Sequence, residues 1–176
     1  DVYKSQGQGT DTVGAEVSFA LPDHFENLEL LGADHIDGFG NSLDNLITPN
    51  LGANLIDGSD GIDTVDYGDA ASPVVAQLFG QWDATAVSPT SLASVTAPMA
   101  RTAGGGSADG DILLNVEILS GSAFNDILVG SHGDDELQGQ AGDDVLFGNR
   151  GDDILLGGSG ADEMRDAAMV SDVHSM

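Results

Sequence analysis

Five aspartates, Asp126, Asp135, Asp144, Asp153 and Asp162, follow one another at intervals of nine residues. Each closes a six-residue stretch opened by a glycine: Gly121, Gly130, Gly139, Gly148 and Gly157. The fourth place of the unit is again glycine at Gly133, Gly142, Gly151 and Gly160, with Phe124 the exception, and the eighth is Leu128, Leu137, Leu146, Leu155 or Met164. If two units make one coil, coils stack at the inter-strand spacing of about 4.8 Å. Asp126 then lies over Asp144, Asp135 over Asp153, and Asp144 over Asp162. Two like unit charges at ~5 Å repel by roughly 3 kcal/mol in an effective dielectric of about 20. Such files must either take up protons or hold cations. The donors on offer are carboxylates and turn carbonyls, all oxygen. That favours a hard cation, and an irregular loop cage suits Ca²⁺ better than octahedral Mg²⁺. Several ions are expected, with binding coupled to folding.

The elements that position these aspartates follow from the same columns. Glycine at the first and fourth places is expected to supply the positive φ of tight turns. The x-apolar-x stretch after each aspartate reads as a short strand with its central side chain inward. Upstream the period persists in degraded form over 40–48, 49–57 and 58–66, with Asn45, Asn54 and Asp63 at the sixth place and Ile47, Ile56 and Val65 at the eighth. Asparagine keeps the turn but not the charge, so these coils are expected to close by side-chain hydrogen bonds. Asp63 is the upstream position expected to bind calcium. The reading of 112–120 as one nonapeptide slot puts Gly121 above Gly58 and lets Asp63 and Asp126 share a further ion.

These residues resemble the nonapeptide repeats of RTX (repeats-in-toxin) proteins over 121–165. The resemblance implies an all-β fold, a right-handed parallel β-roll, here with an irregular excursion. It also implies ligand sets in which one turn gives two carbonyls and its aspartate, and the turn stacked on it gives the same. One set is Ser122, Phe124 and Asp126 with Gly139, Ala141 and Asp144. A second is Ser131, Gly133 and Asp135 with Gly148, Arg150 and Asp153. A third is Gln140, Gly142 and Asp144 with Gly157, Ser159 and Asp162. Phe124 breaks the glycine column in the first. The resemblance further implies a part of a larger bacterial protein exported by type I secretion, which folds in extracellular calcium. The segment from Gly9 to Asn45 is similar to a second repeat type of such proteins, which implies that Asp1 begins mid-repeat.

The chain accordingly divides into degenerate repeat coils over 1–66, an excursion over 67–111, the calcium-binding roll over 112–165 and a tail over 166–176. Within the excursion 74–79 reads as a strand and 84–110 as an irregular, Ala/Ser/Thr/Gly-rich stretch. The seventh and ninth residues of each unit point outward, giving an apolar patch of Ile127, Val129, Val145 and Phe147. Such patches usually have a cover, so the excursion, self-association or a partner chain is expected to pack there.

Composition narrows the function classes. The 176 residues carry 4 Lys+Arg against 30 Asp+Glu, a formal net charge of -26. Such a chain repels phosphate backbones and anionic membrane surfaces. There are no cysteines, which removes disulfides and thiolate metal sites. His24, His35, His132 and His174 form no metal-ligand spacing. No nucleophile elbow, His-Glu-x-x-His or phosphate loop is present, so the chain is read as a non-enzyme. Alternatives of other classes are a structural or adhesive module of an extracellular assembly, and an accessory module of a secreted polysaccharide-acting enzyme.

Overall fold

The computed structural model describes residues 2–4, 9–79 and 108–166. Among them there is no helix; sixteen short strands form two facing eight-stranded sheets. The first sheet runs β1 (Val2–Lys4), β2 (Thr12–Ala15), β4 (Asn27–Leu30), β6 (Leu46–Thr48), β8 (Thr64–Asp66), β11 (Ile118–Ser120), β13 (Glu136–Gln138) and β15 (Ile154–Leu156). The second runs β3 (Phe19–Ala20), β5 (Gly38–Phe39), β7 (Leu55–Asp57), β10 (Ile112–Leu114), β9 (Val75–Phe79), β12 (Ile127–Val129), β14 (Val145–Asn149) and β16 (Glu163–Asp166). The pairings are parallel, apart from β1, which lies antiparallel on β2. Apart from β1 and β2, and β9 and β10, which share a sheet, consecutive strands alternate between the sheets, and the chain climbs as a parallel β-roll. β1 covers the β2 edge and is itself the last strand of the first sheet at the N-terminal end.

The core is a double column of aliphatic side chains, one from the centre of each strand. Ile47, Ile56, Val65, Leu119, Leu128, Leu137 and Leu146 are fully buried. The columns thin out at the C-terminal end, where Leu155 is half-buried and Met164 is 51% exposed, because no coil lies beyond them among the described residues. The outward positions behave less uniformly. Ile127 and Val129 are only 5% and 9% exposed, Val145 and Phe147 are half-buried, and Ile154 and Leu156 are exposed. Part of the shielding of Phe147 comes from Arg165, whose guanidinium lies 5.6 Å from the ring centroid.

Two features of the middle of the chain differ from the sequence reading. Residues 75–79 join the roll as β9, with Val74, Ala76 and Leu78 buried in the core. Residues 112–120 fill two strands, not one slot: β10 inserts between β7 and β9, and β11 stacks on β8. The reason lies in Leu113 and Leu119, both buried. Six residues apart, they reach opposite columns of the core only if the chain turns between them, which it does at Asn115 (φ 50°). β10 thus adds one rung to the second sheet, and β9 is the neighbour of β12. Trp82 and the 84–107 stretch lie outside the described residues.

Candidate metal centre

The nine-residue columns become vertical files. β12, β14 and β16 pair in register, as do β13 and β15, so the aspartate before each strand stands beside that of the next coil. One hydrogen bond repeats at every step: the backbone N–H of the lower aspartate donates to the carboxylate of the upper. Asp126 donates to Asp144 Oδ1 (2.8 Å), Asp135 to Asp153 Oδ1 (3.0 Å) and Asp144 to Asp162 Oδ1 (3.1 Å). The structure therefore brings together the aspartates of all three expected pairs. Among the described residues no three His, Cys, Asp or Glu side chains converge; each cradle is a carboxylate pair within a ring of turn backbone.

The turns come in two conformations. In those ending at Asp126 and Asp135 the second residue is serine, and its backbone N–H and hydroxyl both donate to the aspartate, at 2.5 and 2.8 Å for Ser122 and 2.6 and 3.0 Å for Ser131. In the turns ending at Asp63, Asp144 and Asp153 the second residue is left-handed: Ser59 (φ 77°), Gln140 (φ 74°) and Asn149 (φ 72°). The position-two N–H does not donate to the turn's aspartate there (that of Ser59 goes to Asp57 Oδ1, 3.1 Å), and Asp63 Oδ2, Asp144 Oδ2 and Asp153 Oδ2 are buried without any hydrogen-bond partner. A buried carboxylate oxygen left unpaired is costly, and a cation removes that cost. The asparagine rungs supply the contrast. Asn45 Oδ1 accepts from Asn41 N (2.7 Å) while its amide donates to the Phe25 and Glu26 carbonyls, and Asn54 donates to the Ile36 carbonyl (2.6 Å). Those rungs close on themselves, as the loss of charge predicts.

The glycine columns have different causes. At the fourth place Gly61, Gly142, Gly151 and Gly160 adopt positive φ, between 128° and 148°, whereas Gly133, expected to do the same, does not. A Cβ there would also strike the carbonyl of the turn below, Phe124 O for Gly142 and Gly133 O for Gly151. The first glycine is not left-handed, contrary to the expectation. It is glycine because its own unit's aspartate folds back against it: a Cβ on Gly139 would run into Asp144 Oδ2, and one on Gly157 into Asp162 Oδ2. The carbonyls of Gly139, Gly148 and Gly157 in the upper turns come up to Gly121, Gly130 and Gly139 in the lower ones. Orphan carboxylate oxygens and backbone carbonyls thus crowd the same points, a donor set that fits a hard cation. Of the other carbonyls, Ser122 O, Gln140 O and Ser159 O already accept an inter-turn N–H, and a carbonyl keeps a second lone pair for a metal.

Burial raises the affinity of these carboxylates for protons. Desolvation pushes Asp63 up to about 7 and Asp135 up to about 6, and moves Asp126, Asp144 and Asp153 upward, against hydrogen bonds that pull the other way. Asp111 is also held at about 6 by burial, although Tyr67 Oη donates to it at 2.7 Å. A folded-state pKa above the unfolded value means that stability is greatest below the unfolded value and is lost as pH rises through the folded one. Without calcium, the roll should gain β-sheet circular dichroism when the pH falls from 7.5 to 5.5, the window set by Asp63, Asp111 and Asp135. Raising the salt at pH 7.5 screens surface repulsion but protonates nothing, and should recover less signal. A β-sheet signal that falls on acidification would contradict this assignment.

One expected pairing is overturned. Asp63 and Asp126 do not share a cradle, because β8 pairs with β11 and β12 with β9. Asp63 stands beneath Glu117, whose Oε2 accepts its N–H (2.9 Å), and Asp126 beside Val74, which donates to Asp126 Oδ1 (2.7 Å). The two aspartates belong to different files, because Asp63 leads into β8 of the first sheet and Asp126 into β12 of the second. Glu117 and Asn115 hold the sixth and fourth places of 112–120, in phase with Asp126 and Phe124, but a glutamate in the aspartate column and Ile112 in place of the opening glycine hid them; Asp111 lies outside the phase. Glu26 gives the available clue: it accepts the Asp11 N–H (2.8 Å) as Glu117 accepts that of Asp63, each glutamate lying just before a strand.

Comparison with known proteins agrees with this geometry. Residues 115–139 and 130–164 match the family model of the RTX calcium-binding nonapeptide repeat (4 copies). The chain is also similar to the endo-1,3-1,4-beta-glycanase ExsH of Rhizobium meliloti (strain 1021), at 40% identity over 54 residues, 31% of this chain. The match spans 11% of that relative's length. No solved structure matches the chain. The part of the roll from residue 115 to residue 164 is thus built of RTX calcium-binding nonapeptide repeats.

Proposed function

We propose that the roll folds around calcium bound between stacked turns, and serves as the calcium-dependent folding module of a larger, type I-secreted bacterial protein working outside the cell. The ligands are Asp126, Asp135, Asp144, Asp153 and Asp162, with carbonyls of Ser122, Phe124, Gly139 and Ala141 in the first cradle. Ser131, Gly133, Gly148 and Arg150 serve the second, and Gln140, Gly142, Gly157 and Ser159 the third. The observation that carries this reading is the pair of buried, unpartnered oxygens Asp144 Oδ2 and Asp153 Oδ2, each in a file with the next aspartate. Three cradles with shared Asp144 would neutralise part of a net charge of -26 that otherwise opposes compaction. Calorimetric titration of the chelator-stripped chain with Ca²⁺ should show saturable binding of more than one ion. Absence of binding at millimolar calcium would refute the proposal.

A second reading concerns the parent protein. The similarity to a glycanase favours an accessory role beside a polysaccharide-acting enzyme over the adhesive alternative. Self-association or partner packing on Ile127, Val129, Val145 and Phe147 is the feature that supports an assembly role. Ile127 and Val129 are already largely covered in the single chain, which weakens it.

A further inference from the structure

The pairing of β8 with β11 brings the turn over 58–63 beneath the short turn over 115–117. There Asp63 N–H donates to Glu117 Oε2 at 2.9 Å, across 54 residues of sequence. This is the bond that links Asp126 to Asp144 in the repeats, so Glu117 stands where those cradles hold their second aspartate. Asp63 is 1% exposed, and its Oδ2 is buried with no hydrogen-bond partner. A Cβ placed on Gly58 would meet both Asp63 Oδ2 and the Asn115 carbonyl. That carbonyl therefore occupies the place taken by Gly139, Gly148 and Gly157 in the repeat cradles. The turn itself matches theirs, with Ser59 left-handed and Gly61 at φ 132°.

The neighbouring rungs supply no hydrogen-bond partner to Asp63 Oδ2. Below, Asn45 spends its amide on the Phe25 and Glu26 carbonyls. Above, Asp135 is satisfied by the N–H and hydroxyl of Ser131. Between these rungs the unpartnered Asp63 Oδ2 lies against the Asn115 carbonyl, while the other unpartnered oxygen of this file, Asp153 Oδ2, belongs to the Asp135–Asp153 cradle. Two carboxylates there balance one divalent charge, and all donors are oxygen, as calcium prefers.

We propose that Asp63 and Glu117, with the Asn115 carbonyl and the carbonyls of Ser59 and Gly61, bind a further calcium ion that clasps β8 to β11. The inference rests on the calcium-binding reading of the roll. It differs in its ligands: an aspartate and a glutamate that belong to no common repeat, joined only by the fold. The ion would tie together the two ends of the chain segment between them, so this clasp, unlike the repeat cradles, closes a long loop.

The test is calorimetric stoichiometry on the full chain titrated with Ca²⁺, for wild type, Asp63→Asn, Glu117→Gln and the double variant. Asparagine at 63 reproduces the rungs at Asn45 and Asn54, and glutamine at 117 keeps an oxygen to accept the Asp63 N–H, so both changes remove charge while sparing the turn. Each single variant should bind one ion fewer than wild type, and the double variant also one fewer, because one site is lost in all three. If Asp63→Asn fails to fold by circular dichroism, Glu117→Gln alone decides. Unchanged stoichiometry in a folded single variant, or a loss of two in the double, overturns the clasp and leaves the repeat cradles standing. A wild-type chain that binds no calcium overturns both.

Discussion

Stripping calcium from the chain at neutral pH is expected to abolish its β-sheet circular dichroism, and adding calcium back at roughly 10⁻⁴–10⁻³ M to restore it. The physical case is a conflict between two columns. Inward leucines, isoleucines and valines favour the coil, but each rung contributes only two of them. The aspartate files run beside them, with Asp144 Oδ2 and Asp153 Oδ2 buried and unpaired. Taking an ion out of water still costs several kcal/mol after relaxation, and small domains have only about 5–15 kcal/mol of net stability. A few such carboxylates are enough to cancel it. Calcium reverses the sign by supplying the missing partner, and folding and binding then become one transition. Magnesium, which demands near-ideal octahedral geometry and dehydrates reluctantly, should not substitute at the same concentration. A full β-sheet signal in chelator at pH 7.5 would remove the basis of the proposed function.

The second large effect is expected from a single residue. Asp144 stands between Asp126 and Asp162 and is the aspartate shared by two cradles. Asp144→Asn should therefore lose two calcium equivalents, whereas Asp153→Asn, whose file pairs it with Asp135, should lose one. Asparagine retains an oxygen to accept the Asp126 N–H, as Asn125 Oδ1 accepts that of Asp143 from the neighbouring coil (3.0 Å), so the change tests charge and not turn geometry. The calcium midpoint for folding should rise by at least about tenfold for Asp144→Asn, equivalent to ~1.4 kcal/mol, and by less for Asp153→Asn. Calorimetry and a calcium titration followed by circular dichroism measure the two quantities. Equal losses from the two variants would show that the cradles do not share Asp144.

Much of this was legible in the chain. Period nine with glycine, aspartate and leucine in phase defines turn, file and core column together, and each column has its own physical cause. The same logic reached the degraded upstream coils, where Asn45 and Asn54 close their rungs by hydrogen bonds. The conformational role of the first glycine was not legible. A glycine required by a carboxylate folding back onto its Cα looks, as a letter, like one required by positive φ. Only contact with Asp144 or Asp162 tells them apart. Nor did the letters separate the turns whose serine already satisfies the aspartate from those that leave it open.

Sequence by itself determined the repeat, its all-oxygen turn chemistry and which aspartates from 126 to 162 stack on one another, because those relations are local and repeat with a fixed offset of 18 residues. Tertiary structure decided what lies next to Asp63. Between residues 66 and 112 the period lapses, and no count of residues says how many rungs the chain adds before it resumes. Burial of both Leu113 and Leu119 settled that number, by forcing β10 in between β7 and β9 and setting Glu117, not Asp126, over Asp63.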